Sequence, residues 1–371
     1  MTKRFACIVG ARPNFMKMAP ILRAFREYPD VDPVLIHTGQ HYDAKLSDVF
    51  FSELGIKAPE ISLGVGSGSH AEQTGKLLVE LERCFLEADK LSRPFDRVVV
   101  VGDVNSTMAA ALAAAKLHLP IAHVEAGLRS RDRTMPEEIN RIVTDSLSDL
   151  LLVSEPEGVE NLIREGHPAE RIHLVGNVMI DTLIAQVRDA KQRSILDELG
   201  IEPSGYAVVT LHRPSNVDQD ETLRNLMQVL VDVSERSPIV FPVHPRTRSK
   251  LERLGGWLSR ASEGGRFRLL EPLGYNDFLC LTSQSKVIVT DSGGLQEEST
   301  ALGIPCLTMR ENTERPITVT EGTSTLCGSD SRELAKYLSQ IEAGTYKQGK
   351  CPELWDGNAA VRIVKEIVGG R

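Results

Sequence analysis

The feature that most constrains this chain is a recurring unit: a short β-branched run, a polar or glycine-bearing turn, then a longer stretch of helical periodicity. FACIVG is followed by MKMAPILRAFREY, VVVVGD by TMAAALAAAKLH, and VIVTD by LQEESTALG. Apolar runs without polar alternation read as strands buried on both faces, which parallel sheets require. Parallel neighbours need a crossover, and the helical stretches supply it. The chain therefore predicts βαβ units and a doubly wound α/β fold.

The pattern occurs twice. One series runs from Phe5 to His173–Asn177; the second starts at Tyr206–His212 and passes through IVFPVH, FRLLEPL, KVIVTD and PCLTMR. With 371 residues the chain also exceeds one typical core of roughly 100–200 residues. We expect a Rossmann-like domain over residues 1–180 and a second over 181–356, with a cleft between them. The connector VMIDTLIAQVRDAKQRSILDELGIEPSG is helical by periodicity, ends in a Pro-Ser-Gly turn, and holds the boundary. The terminal segment 357–371, containing the amphipathic GNAAVRIVKEIV, is expected to pack back on the first domain.

Composition narrows the function. A net charge of −8 argues against a general nucleic-acid or anionic-membrane surface, so an anionic ligand would need local basic clusters. The six cysteines include no C-x-x-C pair, which leaves neither a common zinc spacing nor a disulfide framework and fits a reducing compartment. Arg12-Pro13 interrupts the first apolar run, unlike a signal peptide, and no run approaches the ~18 apolar residues of a membrane span. A cytoplasmic location is expected.

Ligands of open parallel sheets bind outside the carboxyl ends of the strands, so the residues just after each apolar run are the candidates. Neither a G-x-G-x-x-G nor a Walker glycine loop is present; GVGSGSH (Gly64–His70) lacks the third glycine and reads as a loop. DSGGLQEE (Asp291–Glu298) is strand, Ser-Gly-Gly, helix: Ser292, Gly293 and Gly294 could bring free N–H groups against a phosphate, and Glu298 could accept from ribose hydroxyls. A capping turn without a ligand fits the same residues. Arg310 and Arg315 in MRENTERP could clamp a diphosphate or be exposed surface cations. Arg12 and Lys17 in GARPNFMK have the same two readings.

Asp103 ends VVVVGD, Glu125 ends IAHVE, and Glu137 follows Pro136, where Thr134-Met135-Pro136-Glu137 also reads as a capping box. Several carboxylates on one edge suit proton abstraction and return, because burial and mutual repulsion separate their proton affinities. His212 in TLHRPSN ends the first strand of the second series, a place for acid–base work or phosphate contact; His244 in PVHPRTR is comparable but weaker. His37 and His41 have i, i+4 spacing, but Gly39 and the preceding strand argue against a helical metal site, and no metal is assigned.

Together, GARPNFMKMAP, VVGDVNST, HVEAGLRS, MPEEINR, LHRPSN, PVHPRTR, DSGGLQEE and MRENTERP resemble the non-hydrolysing UDP-N-acetylglucosamine 2-epimerases of bacteria and archaea. The resemblance runs in order over nearly the whole chain. It implies a glycosyltransferase-B-like fold, a homodimer, a UDP-sugar substrate and no nicotinamide cofactor. The implied reaction interconverts UDP-GlcNAc and UDP-ManNAc by anti elimination of UDP and its re-addition through a 2-acetamidoglucal. By matched position, Asp103, Glu125 and Glu137 resemble the catalytic carboxylates and His212 the cleft histidine, counted here with the catalytic set. Arg12, Lys17, Ser292, Gly293, Gly294, Glu298 and Arg315 match nucleotide contacts, and Phe278 a contact on the uracil side. Two departures stand out: Leu273 replaces a Gln of some members, and Tyr42 in GQHYDAKL breaks a Gln-His-Arg run carried by members that UDP-GlcNAc activates at a second site. A sibling 2-epimerase of a related UDP-sugar, such as a 2,3-diacetamido-glucuronate, and a hydrolysing epimerase remain alternatives.

Overall fold

Residues 2–39, 51, 54–258, 261 and 265–370 are described by a computed structural model; His41 and Tyr42 lie outside them. The first series of apolar runs forms strands β1 (Lys3–Val9), β2 (Val31–His37), β3 (Ile61–Ser62), β4 (Arg97–Val101), β5 (Ile121–Ala126), β6 (Leu150–Val153) and β7 (Ile172–Leu174). Their order in the sheet is β3-β2-β1-β4-β5-β6-β7, with every neighbouring pair parallel. The second series forms β8 (Ala207–Thr210), β9 (Ile239–Pro242), β10 (Phe267–Leu270), β11 (Val287–Thr290), β12 (Cys306–Thr308) and β13 (Ser324–Leu326), ordered β10-β9-β8-β11-β12-β13 and again parallel.

Both sheets therefore have the Rossmann winding, and in each the strand order reverses beside the first strand. The reversal lies between β1 and β4 in one sheet and between β8 and β11 in the other. Helices on both sides of such a point run away from it, leaving a crevice at the carboxyl ends of the strands.

The chain divides into two units, Met1–Thr182 with Glu353–Arg371, and Leu183–Pro352. In the first, β4 is buried along its length. Helix His70–Lys90 lays Leu77, Leu81, Cys84 and Phe85 into the same core as Ala109, Ala110 and Ala113 of helix Asn105–Lys116. Alanines on that second helix let it lie close to the sheet. Each fully buried Val or Leu in such a core contributes about 1.5–3 kcal/mol. The GVGSGSH loop ends in a capping box at Ser69 and Glu72, which starts helix His70–Lys90.

The C-terminal helix Ala359–Gly369 buries Ala360, Ile363, Val364 and Ile367. Its first N–H groups are held by Asp181, whose carboxylate accepts from Ala360 at 2.7 Å and Ala359 at 3.2 Å. Burial pushes the Asp181 carboxyl up to about 6 against these two donors. In the second unit, Leu223, Leu226, Met227 and Leu230 of helix Asp220–Ser234 pack on Val209, Phe241 and Val289. The connector forms helices Val178–Ala190 and Ile195–Leu199. Among the described residues no helix is long and apolar enough to cross a membrane.

Candidate active site

At the switch point of the first sheet, β1 leads through Gly10-Ala11 into helix Arg12–Ala24. The Asn14 side chain accepts from the Ala11 N–H and donates to the Val101 carbonyl, both at 2.9 Å, so it ties the ends of β1 and β4 together. Arg12 is exposed at the helix start, whereas Lys17 is 7% exposed and pairs with Glu125, which is 3% exposed. The two cations thus separate: one faces solvent, and the other is a buried partner of a carboxylate. Gly102, just after β4, has φ +68°, and a Cβ there would stand 3.0 Å from the Lys17 ammonium. Only glycine meets both conditions.

Glu125 interrupts β5. The register between β5 and β6 shifts between Val124 and Ala126, and Glu125 has φ +70°, a left-handed conformation that costs a side-chain-bearing residue about 1–2 kcal/mol. This bulge places its carboxylate beside Lys17 and Gly102. Strain at such a position is a mark of functional sites.

Asp103 follows Gly102, and its Oδ2 accepts from Arg141 Nε at 3.0 Å and Nη2 at 2.7 Å. Arg141 also donates to Glu138 at 2.8 Å, and Glu138 accepts from the Ser130 and Arg131 N–H groups at 2.8 and 2.9 Å. Asn140 donates to the Asp103 carbonyl at 2.8 Å. All three supports come from helix Pro136–Leu147.

One expectation is corrected here. The helix is capped at Met135 without a side-chain bond, and the Thr134 hydroxyl donates to Asp132 at 2.6 Å, so there is no capping box. Glu137 is exposed, while its neighbour Glu138 is buried. Asp103 and Glu125 each meet a cation, Arg141 and Lys17, because burying a carboxylate without compensation would cost far more than the pair does.

At the switch point of the second sheet, Asp291 ends β11 fully buried. Its Oδ2 accepts from the His212 and Arg213 N–H groups at 2.9 Å each and from Asn216 at 3.0 Å, and its Oδ1 lies 2.8 Å from His212 Nδ1. Burial alone would raise the Asp291 carboxyl, but His212, Arg213 and Asn216 bring it below its ordinary value. Asp291 thereby orients the imidazole of His212, whose side chain is 44% exposed. His244 is the N-cap of helix Pro245–Arg253, with its ring 5.9 Å from that of His212; burial, then His212, lower its proton affinity.

Ser292 is the N-cap of helix Gly293–Leu302 but makes no side-chain cap, and the first turn carries no acidic residue. The opening N–H groups of a helix point outward without intrahelical partners, which suits an anion. Arg310 and Arg315 are both buried beside this turn, so the surface-cation reading fails for each. Arg315 pairs with Glu297 and Glu314, and Arg310 donates to Glu314 at 2.7 Å. A Cβ on Gly293 would meet Glu314 at 2.8 Å and Arg315 at 3.3 Å, whereas one on Gly294 would meet nothing within 4 Å. Glu298 is buried one turn on; burial, then the Glu297 carboxylate, push its carboxyl up to about 8. Phe278, half-buried on helix Tyr275–Ser283, packs against the Ile288, Leu295 and Ile304 cluster.

Over residues 23–368 the sequence matches the family described as UDP-N-acetylglucosamine 2-epimerase. The chain belongs to that family. The UDP-N-acetylglucosamine 2-epimerase of Methanocaldococcus jannaschii is 39% identical, over 99% of this chain and 100% of that one. Its crystal structure in complex with UDP-GlcNAc and UDP superposes with a TM-score of 0.86, at 38% identity over 99% of this chain and 100% of that one. The UDP-2,3-diacetamido-2,3-dideoxy-D-glucuronate 2-epimerase of Pseudomonas aeruginosa is 38% identical, over 97% and 98% of the two chains. A plant UDP-glucosyltransferase from Polygonum tinctorium, at 14% identity and TM-score 0.63 over 100% and 98% of the two chains, shares the fold. This 2-epimerase family member is thus an isomerase-family chain of two Rossmann-like units with a glycosyltransferase-B-like fold.

Sequence reasoning missed Asn14, Glu138, Arg141 and Asp291. The i, i+3 spacing of Glu138 and Arg141 on a helix was the one available signal for a buried pair.

Proposed function

We propose that this protein is a non-hydrolysing 2-epimerase that interconverts UDP-GlcNAc and UDP-ManNAc by anti elimination and re-addition of UDP. The observation that carries the reading is the paired Lys17–Glu125 and Arg141–Asp103 arrangement at the switch point of the first sheet. It sets two carboxylates and a buried ammonium at the edge where a parallel sheet binds its ligand. In the proposed step a carboxylate takes the C2 proton while the C1–oxygen bond breaks, and that electron pair departs with the diphosphate. A C1=C2 double bond results, giving 2-acetamidoglucal. Protonation of the opposite face of C2 and attack of UDP oxygen at C1 complete the inversion, so no oxidant is consumed.

Asp103, Glu125, Glu137 and His212 carry the acid–base work in this reading, and Arg12 and Lys17 stabilise the departing diphosphate. Ser292, Gly293, Gly294 and Arg315 hold the diphosphate of UDP, Glu298 its ribose, and Phe278 the uracil side. The domain spans proposed are 1–180 and 181–356 with the helix 357–371 on the first. A homodimer working in the cytoplasm completes the proposal; sedimentation of the purified protein checks the first part.

The decisive experiment is incubation of UDP-GlcNAc alone with the enzyme in D₂O, followed by NMR. The expected product is UDP-ManNAc carrying deuterium at C2, with no added cofactor. Epimer with C2 fully protonated would overturn solvent-exchanging acid–base chemistry, and release of free ManNAc with UDP would move the assignment to a hydrolysing enzyme. The relative from Pseudomonas aeruginosa supports a second reading, a 2-epimerase of a UDP-2,3-diacetamido-glucuronate. Turnover of that sugar alone would select it.

A further inference from the structure

Behind Glu125 lies a fully buried network that the proposed chemistry does not use. His123, two residues earlier on β5, places Nδ1 2.6 Å from Asp145 Oδ1 and Nε2 2.9 Å from the Gly102 carbonyl. The other oxygen of Asp145 accepts from the Gly127 N–H at 3.1 Å and lies 2.7 Å from Arg129 Nη2. Both His123 and Asp145 are 0% exposed. One carboxylate thus grips the chain on both sides of the Glu125 bulge.

We propose that Asp145 is a positioning residue that, through the His123 ring, fixes the left-handed turn of Glu125 and the Gly102–Asp103 turn together. The bond directions follow from donor and acceptor chemistry. A carbonyl oxygen can only accept, so Nε2 donates to Gly102. Asp145 meets the ring with one oxygen and Gly127 and Arg129 with the other. Burial alone would favour a protonated Asp145, but His123 and then Arg129 hold its carboxyl below the ordinary value. Arg129 is held in turn by Glu165, which accepts from it at 2.6 and 2.9 Å.

The mechanical consequence is specific. The Gly102 carbonyl is anchored to the same ring that Asp145 holds, and Glu125 sits between His123 and Gly127, both bonded to that one carboxylate. Asp103 and Glu125 are therefore located relative to each other through one buried hydrogen-bonded network. A left-handed conformation at a non-glycine residue persists only where its surroundings over-determine it, and this clamp does so.

The inference about catalysis rests on the epimerase reading, but its structural part does not. Asp145→Asn keeps the shape and removes the anion. Turnover of UDP-GlcNAc by this variant is expected to fall about tenfold to a hundredfold, the scale of a misplaced catalytic group, while UDP binding by titration calorimetry stays within about threefold of wild type. In ¹⁵N-labelled wild-type protein Nε2 of His123 should bear its proton, held by the Gly102 carbonyl; in Asp145→Asn the ring resonances should shift and broaden as that anchor loosens. A wild-type His123 ring without a proton on Nε2 would overturn the clamp, as would full turnover by Asp145→Asn. Should Asp145→Asn not fold, His123→Asn, which can reach Asp145 but not Gly102, serves instead: reduced turnover with unchanged UDP affinity is expected, and wild-type turnover would overturn the proposal. Absence of wild-type turnover of UDP-GlcNAc would count against the epimerase reading alone, because the His123 signature is read without substrate.

Discussion

Lys17, on the first helix, donates its Nζ hydrogen to the carboxylate of Glu125, 108 residues further along the chain, and both side chains are buried. An ammonium placed there compensates the charge of a buried carboxylate at the sheet edge. Removing one partner of such a pair typically costs about 3–5 kcal/mol, because the other charge stays behind. Lys17→Met should accordingly lower the unfolding free energy by that order in a denaturant titration. Glu125→Gln retains an acceptor for Lys17 and should destabilise less, yet lower turnover by about 10²–10⁴-fold. Equal stability losses for the two variants would contradict this assignment.

Neighbouring glutamates separate support from chemistry. Glu138 accepts from Ser130, Arg131 and Arg141, so Glu138→Gln weakens the hold on Arg141 and, through it, Asp103. A stability loss of about 1–3 kcal/mol is expected, seen as a lowered melting temperature. Glu137 is exposed, and Glu137→Gln should leave the melting temperature unchanged while reducing turnover by about 10²-fold or more. Near-normal turnover of Glu137→Gln would remove that residue from the acid–base set.

The two glycines at the start of helix Gly293–Leu302 answer different questions. A Cβ on Gly293 meets Glu314 and Arg315, so Gly293→Ala should cost about 1–3 kcal/mol of stability even without ligand. Gly294 has open space around the equivalent position, and Gly294→Ala should stabilise the free protein by up to about 1 kcal/mol. If UDP uses this turn, Gly294→Ala still weakens its binding. Calorimetric titration with UDP, set beside ligand-free melts, distinguishes packing from recognition.

Glu298 makes stability depend on pH in a defined direction. Its carboxyl is raised from an ordinary 4.5 to about 8 in the folded chain, so between those values the folded state holds a proton that the unfolded state has released. That contribution is fully present below about pH 4.5 and is lost as pH rises through about 8. Melting temperature should therefore decline across this window, and Glu298→Gln should flatten the decline by several degrees at the alkaline end. Asp181, raised to about 6, adds an earlier fall that Glu298→Gln leaves in place. A wild-type melting temperature that rises from pH 5 to pH 8 would refute the assignment.

Much of this was legible from residue order. Uninterrupted runs such as VVVVGD have no polar face to turn to water, so they specify central parallel strands, and the residues following them specify the ligand edge. Asp103, His212 and Ser292–Gly294 are singled out by that rule and lie after β4, β8 and β11; Glu125, expected at the end of its strand, lies within β5. The glycine loop GVGSGSH was likewise readable as a loop, since its spacing lacks the third glycine.

Pairing was not legible. Lys17 and Glu125, Asp103 and Arg141, and His212 and Asp291 are brought together by crossovers that join distant segments, and no local spacing encodes which cation meets which carboxylate. Thr134-Met135-Pro136-Glu137 has the composition of a capping box, yet the hydroxyl turns to Asp132 and the buried carboxylate is Glu138. A local propensity yields when tertiary burial offers a carboxylate two backbone N–H groups, the Ser130 hydroxyl and an arginine. Arg310 and Arg315 read in sequence as surface cations or a clamp, and only packing shows them enclosed with Glu297 and Glu314. The residue order alone determined the strands, the winding and the edge, because those depend on periodic burial along the chain. The tertiary structure decided the charge partners and the left-handed turn at Glu125, because these depend on which distant groups share one dry space.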